Sequence, residues 1–492
     1  MLDKSTVEYC SNGVYPPLFH RFREIGLYVI RFFKDFKWRY VVIDDKLPTE
    51  QGYMLVFAKC VNEEELWVPL IEKAYAKLFG CYEALKAGNI DEGLVDMTGF
   101  ACEKVELHNK KTEEFDLDKE DFWRELIDFQ ETGSLMGCSR SGATETALLS
   151  DDGEPTGILK GHAYGITKFM EIPDVDMENP RKTHRLVLVR NPWGKDEWLL
   201  DWSAFSDKLD THMDKIKAAI NEFEEEERFD PTSDSDGLFF MNYKNFRTIF
   251  NKIFVARDFP DEWWCIRYSS HWENDCSGGL PAPMNAQTCK RYATNPQYMM
   301  QPSEDCEVFL SLGQNDGRGK DEKTGEYEAY PFKTRLEAAH LAIWQLNEGE
   351  TQLEAWDQKK LTKVANQRPS RSKDVSLRVK LKAGQSYVVV PSAMKPGDTG
   401  EFYLSIYVSC ELHDIRIYRI GNKTERCKLL LEAECVCVCR RLHHRGVREI
   451  SETHPGLEDA VREGDREDAR CDNHQERRAP DLDRHPEEDA YP

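Results

Sequence analysis

At 492 residues, with 40% hydrophobic and 11% aromatic side chains, the chain is several times longer than one folding unit and has enough apolar surface for two or three packed domains. Its formal net charge of −23 argues against sequence-independent binding of DNA or RNA, because a phosphate backbone rewards a basic face. Fifteen cysteines at irregular spacings, behind an N-terminus (MLDKSTVEYC) with no apolar core, read as free thiols of a reducing, cytoplasmic compartment, and no apolar run approaches the eighteen or so residues that span a bilayer.

In chain order, IGLYVIRFF (25–33) and WRYVVIDDKLP (38–48) carry the β-branched and aromatic residues of strands, bounded by charge and Pro48. ELWVPLIEKAYAKLFGCYEAL (65–85) places Leu66, Leu70, Ala74, Leu78 and Tyr82 on one face, which predicts a single buried helix. DKEDFWRELIDFQETG (118–133) predicts a helix that stops at Gly133. GHAYGITKFMEI (161–172) and HRLVLVRNPWG (184–194) then read as two antiparallel strands separated by the polar insert DVDMENPRK. KLDTHMDKIKAAINEFEEEER (208–228) is helical and ends in an acid run, which fits a solvated helix face.

After Phe254 the pattern changes to short β runs broken by turn residues: WWCIRYSSHW, CEVFLSLGQND, LAIWQLNEG, VSLRVKLKAGQSYVVVPSA and GEFYLSIYVSC. Such spacing predicts a separate antiparallel sandwich. From Gly421 onward periodicity fades into Arg, Glu, Asp, His and Pro, the composition of a disordered tail, and no repeat of solenoid length recurs. The expected organisation is 1–99, 100–255, 256–420 and a tail at 421–492.

A thiol protease needs a thiol, an imidazole, a group that orients the imidazole, and donors for the oxyanion. Two of these are visible. His162 follows Gly161 at the start of one strand, and Asn191 ends the next, followed by Pro192. An antiparallel pair can close the intervening stretch, so that the Asn carbonyl accepts from one ring N–H and leaves the other nitrogen for a thiol. Taken singly, a histidine near a strand end is a structural or surface residue and an Asn-Pro is a turn.

The strings are more specific. GHAYGI followed by VRNPWG, an acid and Trp198 resembles the second protease lobe of the calpain family. VVIDDKLPT (41–49), LWVPLIEKAYAKLFGCYEAL (66–85), GSLMGCS (133–139) and DGLFFMNYKNF (236–246) agree with it. The later β region is similar to the same family's sandwich domain through NPQY (295–298) and VPSAMKPGDTGEFYLSIY (390–407), so the resemblance covers roughly residues 15 to 420.

This resemblance implies an α+β fold: a papain-like two-lobe protease core with an incomplete first lobe (1–99) and a His/Asn-bearing second lobe (100–255), then an antiparallel β-sandwich (256–420). It implies His162 as general base, Asn191 as its orienting partner and Trp193 as a shield over the cleft. The activity implied is calcium-dependent, limited cleavage of intracellular proteins, with protein substrates as partners. The sandwich would offer a contact for proteins or membranes.

The family's nucleophile belongs to a Gln…Gly-x-Cys-Trp segment upstream of the VVIDD strand, and its position counted back from Asp44 falls before Met1. A truncated form is therefore expected, inactive alone, and the alternative is a non-catalytic, calpain-like binding or regulatory protein. Cys10 has neither the Gln nor the Trp, and Cys81, Cys102 and Cys138 read as inert thiols. By position, Glu65 resembles a first-lobe calcium ligand, and Glu197 and Asp236 resemble second-lobe ligands with Asp207 in reach, while two further acids read as Ala204 and Leu238. DSDG (234–237) opens no twelve-residue EF-hand loop, and no EF-hand small subunit is expected as a partner. CVCVC (435–439) could set three sulfurs on one strand face but lacks the Cys-x-x-Cys knuckle of zinc sites, so a strand end is the simpler reading.

Overall fold

A computed structural model describes residues 26–50, 54–60, 65–86, 88–107, 120–174, 183–221, 237–273, 275–281, 286–314, 336–356 and 361–420. The chain divides into two units, Met1–Cys435 and Val436–Pro492, and every described residue lies in the first. The expected tail, CVCVC, Cys10, Asp236 and the acid run at 222–228 fall outside the described residues.

The two expected strands, β1 (Leu27–Lys34) and β2 (Lys37–Asp44), pair as a hairpin. Its two-residue turn holds Asp35 and Phe36 at φ of 52° and 59°, the hand that matches strand twist but normally falls to Asn or Gly. Phe36 is held there from outside. Its ring stacks on Tyr403 at 4.3 Å and lies over Gly313, where a Cβ would come within 1.7 Å of the ring. The hairpin's Phe32, Val41 and Ile43 bury against Leu70 and Ala74 of the helix Trp67–Phe79.

That helix is shorter than the single helix expected over 65–85. It ends where Gly80 turns to a φ of 106°, and Tyr82–Leu85 continues as a separate 3₁₀ turn. Leu66 sits exposed at the helix start, and Tyr82 stacks on Phe57 at 4.2 Å instead of extending the helix's buried face. A second helix, Ile90–Thr98, escapes sequence periodicity because its inner face is acidic: Asp91, Glu92 and Asp96 are all buried.

A six-stranded antiparallel sheet follows, in the order β3-β10-β4-β7-β8-β9, from β3 (Ala101–Glu106), β4 (Leu135–Ser139), β7 (Ala163–Pro173), β8 (Thr183–Arg190), β9 (Leu238–Asn242) and β10 (Lys252–Arg257). A small hairpin, β5 (Thr146–Leu149) with β6 (Pro155–Lys160), precedes β7. The helix Glu120–Glu131, ending as expected ahead of Gly133, packs Phe122, Trp123, Leu126 and Phe129 into the core on one face of the sheet. The helix Asp207–Asn221 covers the other face through Leu209 and Ile216.

The β-sandwich is present as predicted. One sheet runs β11-β18-β13-β16, from β11 (Trp264–Trp272), β13 (Cys306–Gln314), β16 (Asp374–Leu381) and β18 (Gly400–Val408). The other runs β15-β14-β17-β12-β19, from β12 (Gln297–Pro302), β14 (Ala339–Gln345), β15 (Thr362–Asn366), β17 (Tyr387–Ala393) and β19 (Ile415–Ile420). Leu310, Leu341, Val389, Leu404 and Ile406 meet between the sheets.

Charge joins the sandwich to the helices and strands that precede it. Asp96 binds Lys373, both buried, and also accepts from Tyr75 at 2.7 Å. Asp91 binds Lys104 at 2.7 Å and accepts from the Ser372 hydroxyl at 3.3 Å, and Arg378 bridges Glu125 and Glu307. Replacing Lys373 by Met leaves Asp96 charged in a dry site, so urea unfolding of Lys373→Met should show a loss of about 3–5 kcal/mol.

His340 in β14 is buried, with Nδ1 3.0 Å from the Ser392 hydroxyl, and burial pushes its pKa down to about 4. The depressed value means that the unfolded chain binds the proton first. The His340 contribution is therefore complete above about pH 6.5 and lost as pH falls toward 4, roughly 2–3 kcal/mol by pH 4.5. The difference in unfolding free energy between wild type and His340→Gln should shrink or reverse across that window, and a pH-independent difference contradicts it.

Candidate active site

The site is built at one end of the β7–β8 pair. Gly165 lies opposite Arg190, so the residues just before β7 and just after β8 are neighbours, and His162 and Asn191 meet there. Gly161 makes the approach possible. Its φ is +70°, and a Cβ would stand 2.7 Å from the Thr144 carbonyl oxygen. Its N–H donates to the Arg140 carbonyl at 2.8 Å, which fixes the chain entering His162.

Asn191 is wholly buried and its amide is saturated. Nδ2 donates to the carbonyls of Lys195 (2.6 Å) and Asp196 (3.1 Å), while Oδ1 accepts from the Trp193 N–H at 3.1 Å. These bonds fix which amide atom is oxygen. The remaining contact, His162 Nε2 to Asn191 Oδ1 at 2.9 Å, is then a donation from the ring, which places a hydrogen on Nε2.

The pair rests on a second layer. The Asn191 N–H donates to the Gly237 carbonyl at 2.7 Å, and the Gly237 N–H donates to Glu197 Oε1 at 2.9 Å. Gly237 has a φ of +78° and no room for a Cβ, which would stand 2.5 Å from the Asn191 carbonyl oxygen. Glu197 is buried, and its backbone is pressed against Gly157, whose added Cβ would lie 1.7 Å from the Glu197 carbonyl oxygen.

Aromatic rings frame the imidazole. Trp193 tilts over it with ring centres 4.4 Å apart while remaining 48% exposed, and Tyr164 meets it edge-on at 4.9 Å. Tyr164 is no proton donor here, because burial pushes its phenol up to about 12 and its oxygen accepts from the Leu159 N–H at 2.9 Å.

The nitrogen turned away from Asn191 faces a residue that sequence reading missed. Glu145 Oε1 lies 2.8 Å from His162 Nδ1, on a side chain that is 44% exposed. Glu145 sits seventeen positions upstream in a loop leading to β5, with no motif to flag it.

Among the described cysteines, all free, none contacts the His162 ring through a hydrogen bond. Cys138 and Cys102 are buried, and burial pushes both thiols well above their usual range, the setting of inert sulfur.

Among the described residues, the expected calcium ligands Glu65, Glu197 and Asp207 do not gather as a cluster of three. Glu65 is exposed and accepts from the Trp67 indole N–H at 3.0 Å. Asp207 is exposed at the start of its helix, while Glu197 is buried with one oxygen already engaged by Gly237. Glu197 and Asp207, the described acids of the second-lobe set, supply only part of the six to eight oxygens of a calcium cage, so backbone carbonyls and water would have to complete it.

Residues 10–257 match the calpain family cysteine protease, and residues 268–407 match domain III of the calpain large subunit. The chain belongs to the calpain family of cysteine proteases. It is 29% identical over 401 residues to calpain-type cysteine protease ADL1 of Oryza sativa subsp. japonica, covering 80% of this chain and 17% of that one. To the calpain-2 catalytic subunit of Rattus norvegicus it is 29% identical over 416 residues, covering 80% and 54%. Calpain-A of Drosophila melanogaster is 30% identical over 403 residues, covering 78% and 45%. The chain thus spans about half the length of these animal relatives and a small part of the plant one.

Removing the Asn191 amide strands the Trp193 N–H, two carbonyls and the His162 ring. Asn191→Ala should cost about 2–4 kcal/mol in urea unfolding, and the slowly exchanging Nε2 proton of His162 should disappear from the nitrogen-edited NMR spectrum. A persisting Nε2 proton would place the ring's anchor elsewhere.

Proposed function

We propose that this chain carries the imidazole half of a calpain-type endopeptidase site, with His162 as general base, Asn191 as its orienting partner and Trp193 as a cover that keeps water from the pair. The observation that carries this reading is the 2.9 Å bond from His162 Nε2 to a fully saturated, buried Asn191. With Nε2 committed, Nδ1, which in this structure faces Glu145 Oε1 at 2.8 Å, is the atom that would serve a thiol once Glu145 yields.

In a form that carries the thiol, His162 would take its proton as sulfur attacks the peptide carbonyl. It then returns that proton to the leaving amine as the thioester forms, and water releases the acid in the second half. Asn191 is suited to this because it holds the ring in one tautomer without adding a charge. The substrates would be intracellular proteins, and the sandwich would add a contact for proteins or membranes. Calcium enters as the regulator that the family suggests. Glu197, Asp207 and Asp236 would hold it weakly, and calorimetry on the full chain should show no saturable heat below millimolar calcium. Saturable heat lost in Glu197→Gln would instead establish the site.

No described thiol bonds to His162, which supports the reading that this chain alone hydrolyses no peptide bonds. The full chain, given calcium and an unfolded protein substrate, should release no more fragments than buffer and take no label from a thiol-directed epoxide. A longer product of the same gene that encodes Gln and Cys-Trp upstream should be labelled, and should lose at least about a hundredfold in kcat on His162→Ala. Turnover by the present chain that vanishes in His162→Ala would reject the assignment of a missing thiol.

One contact favours a second reading, a non-catalytic binding protein: Glu145 occupies the Nδ1 side of the ring. If no upstream Cys-Trp is encoded, that reading takes precedence.

A further inference from the structure

At the far end of the β7–β8 pair a second constellation is assembled. Asp174 directly follows β7, His184 is the second residue of β8, opposite Ile172, and His212 lies on the helix Asp207–Asn221. One ligand atom from each lies within 4.8 Å of the others. The nearest approaches are His184 Nε2 to Asp174 Oδ2 at 3.3 Å and His212 Nε2 to Asp174 Oδ1 at 3.5 Å. We propose that Asp174, His184 and His212 form a site for a divalent transition-metal ion of the zinc class.

His212 carries the argument. It is buried, and its Nδ1 lies 2.8 Å from the Lys208 carbonyl, an acceptor, so Nδ1 carries the hydrogen. In the neutral ring Nε2 is then a bare lone pair, and it makes no hydrogen bond although it is buried. It points at a carboxylate oxygen, so two acceptors face each other across 3.5 Å. A cation between them resolves that repulsion. Backbone carbonyls that hold the outer nitrogen of a ligating histidine are the usual support of a metal site, since they fix both tautomer and ring orientation.

The spacing agrees. Around an ion with bonds of about 2.0–2.1 Å, the edge of a tetrahedron is about 3.3–3.4 Å, longer than a good hydrogen bond and close to the two separations here. Two imidazoles and one carboxylate select zinc and its neighbours over calcium or magnesium, which take oxygen ligands. Three protein ligands leave a fourth position, and His184, 25% exposed, marks the side on which water or a partner's side chain can enter.

The described surroundings are aromatic. The Trp202 ring lies 5.0 Å from both imidazoles, centre to centre, and the two imidazoles are 5.0 Å apart. Among the described residues Lys215 is a nearby positive charge that opposes an ion, and its Nζ is held by the carbonyls of Pro173 (3.1 Å) and Asp174 (2.8 Å). The alternative is an ion pair in which His212 gains a second proton and donates to Asp174.

Zinc titration of the metal-stripped full chain against a chromophoric chelator separates the two. The chain's thiols also take zinc, so cobalt is the second probe. Wild type should bind one equivalent more than Asp174→Asn or His212→Gln, with at least a tenfold loss of affinity in each variant. Its cobalt form should show visible bands without thiolate charge transfer, and these bands should vanish in both. Because the buried substitutions can unfold the chain, His184→Gln at the exposed edge is the third variant, and it should lose the same equivalent with its circular dichroism unchanged. Equal zinc stoichiometry in wild type and a folded His184→Gln, or cobalt bands of thiolate character only, would overturn the proposal in favour of the protonated pair.

Discussion

The constraint on which the rest depends is the register of β7 against β8. Buried side chains leave this pair toward two different cores, which is what fixes register, since a slip of one residue would exchange them. Val187 and Val189 enter one core and Leu186 and Leu188 the other. On β7 the alternation is interrupted between Ile166 and Lys168, where the pairing shifts by one residue. That bulge lets Tyr164 and Ile166 share a core with Phe169, while Met170 and Ile172 turn to the opposite one. The same bulge therefore adjusts the strand between the end that supports His162 and the end that packs on the helix Asp207–Asn221.

At the His162 end, order is imposed by hydrogen bonds with no alternative partners. The Asn191 side chain uses its two donors and both acceptor directions, and its backbone leans on Gly237 and through it on Glu197. A buried network of this kind is worth its full strength only when every member is satisfied. Glu197 thus has a structural task that needs no ion: one of its oxygens anchors the glycine on which Asn191 rests. Exposure divides the layers. Asn191 is sealed, while Trp193 and Glu145, the two groups on the outer side of the ring, are about half exposed and free to yield to an incoming segment.

Much of this was legible in the sequence, for identifiable reasons. HRLVLVR and YVVVPSA carry β-branched residues in short runs bounded by turn or polar residues, and that is the signal that marks them as strands. The partnership of His162 with Asn191 followed from two strands and an insert, and the strings around them carried the family resemblance. The helix Ile90–Thr98 was hidden because burial there is electrostatic: Asp91 and Asp96 find Lys104 and Lys373, the latter nearly three hundred positions away. No periodicity rule anticipates a buried acid whose partner lies in another sheet. Glu145 was hidden likewise, and so was the cluster of Asp174, His184 and His212, whose members come from a strand end, a strand and a helix with no short spacing between them. The over-long helix at 65–85 has a different cause. Apolar residues continue at helical spacing past Gly80, but the backbone there adopts a left-handed turn that hands Tyr82 to Phe57.

A single ladder with a chemical cluster at each end raises the question of whether the ends are coupled. Relative magnitudes decide it. The residues that hold the ladder between them, Phe169, Met170, Ile172 and Leu186 through Val189, each contribute roughly 1.5–3 kcal/mol on burial, so their sum far exceeds what any one ligand adds to a strand already in register. The ladder would keep His162 and Asn191 together whether or not an ion sat beside Asp174. What an ion at the far end can change is the attachment of the helix Asp207–Asn221, which meets that end through His212 and through Lys215 on the Pro173 and Asp174 carbonyls. That helix begins at Asp207, shortly after the loop that carries Glu197 and Trp198, and the Lys208 side chain binds Asp201 within it. Any influence of the far cluster on the candidate active site would run through this loop and its hold on Gly237, by way of the second layer beneath Asn191 and not along the strands.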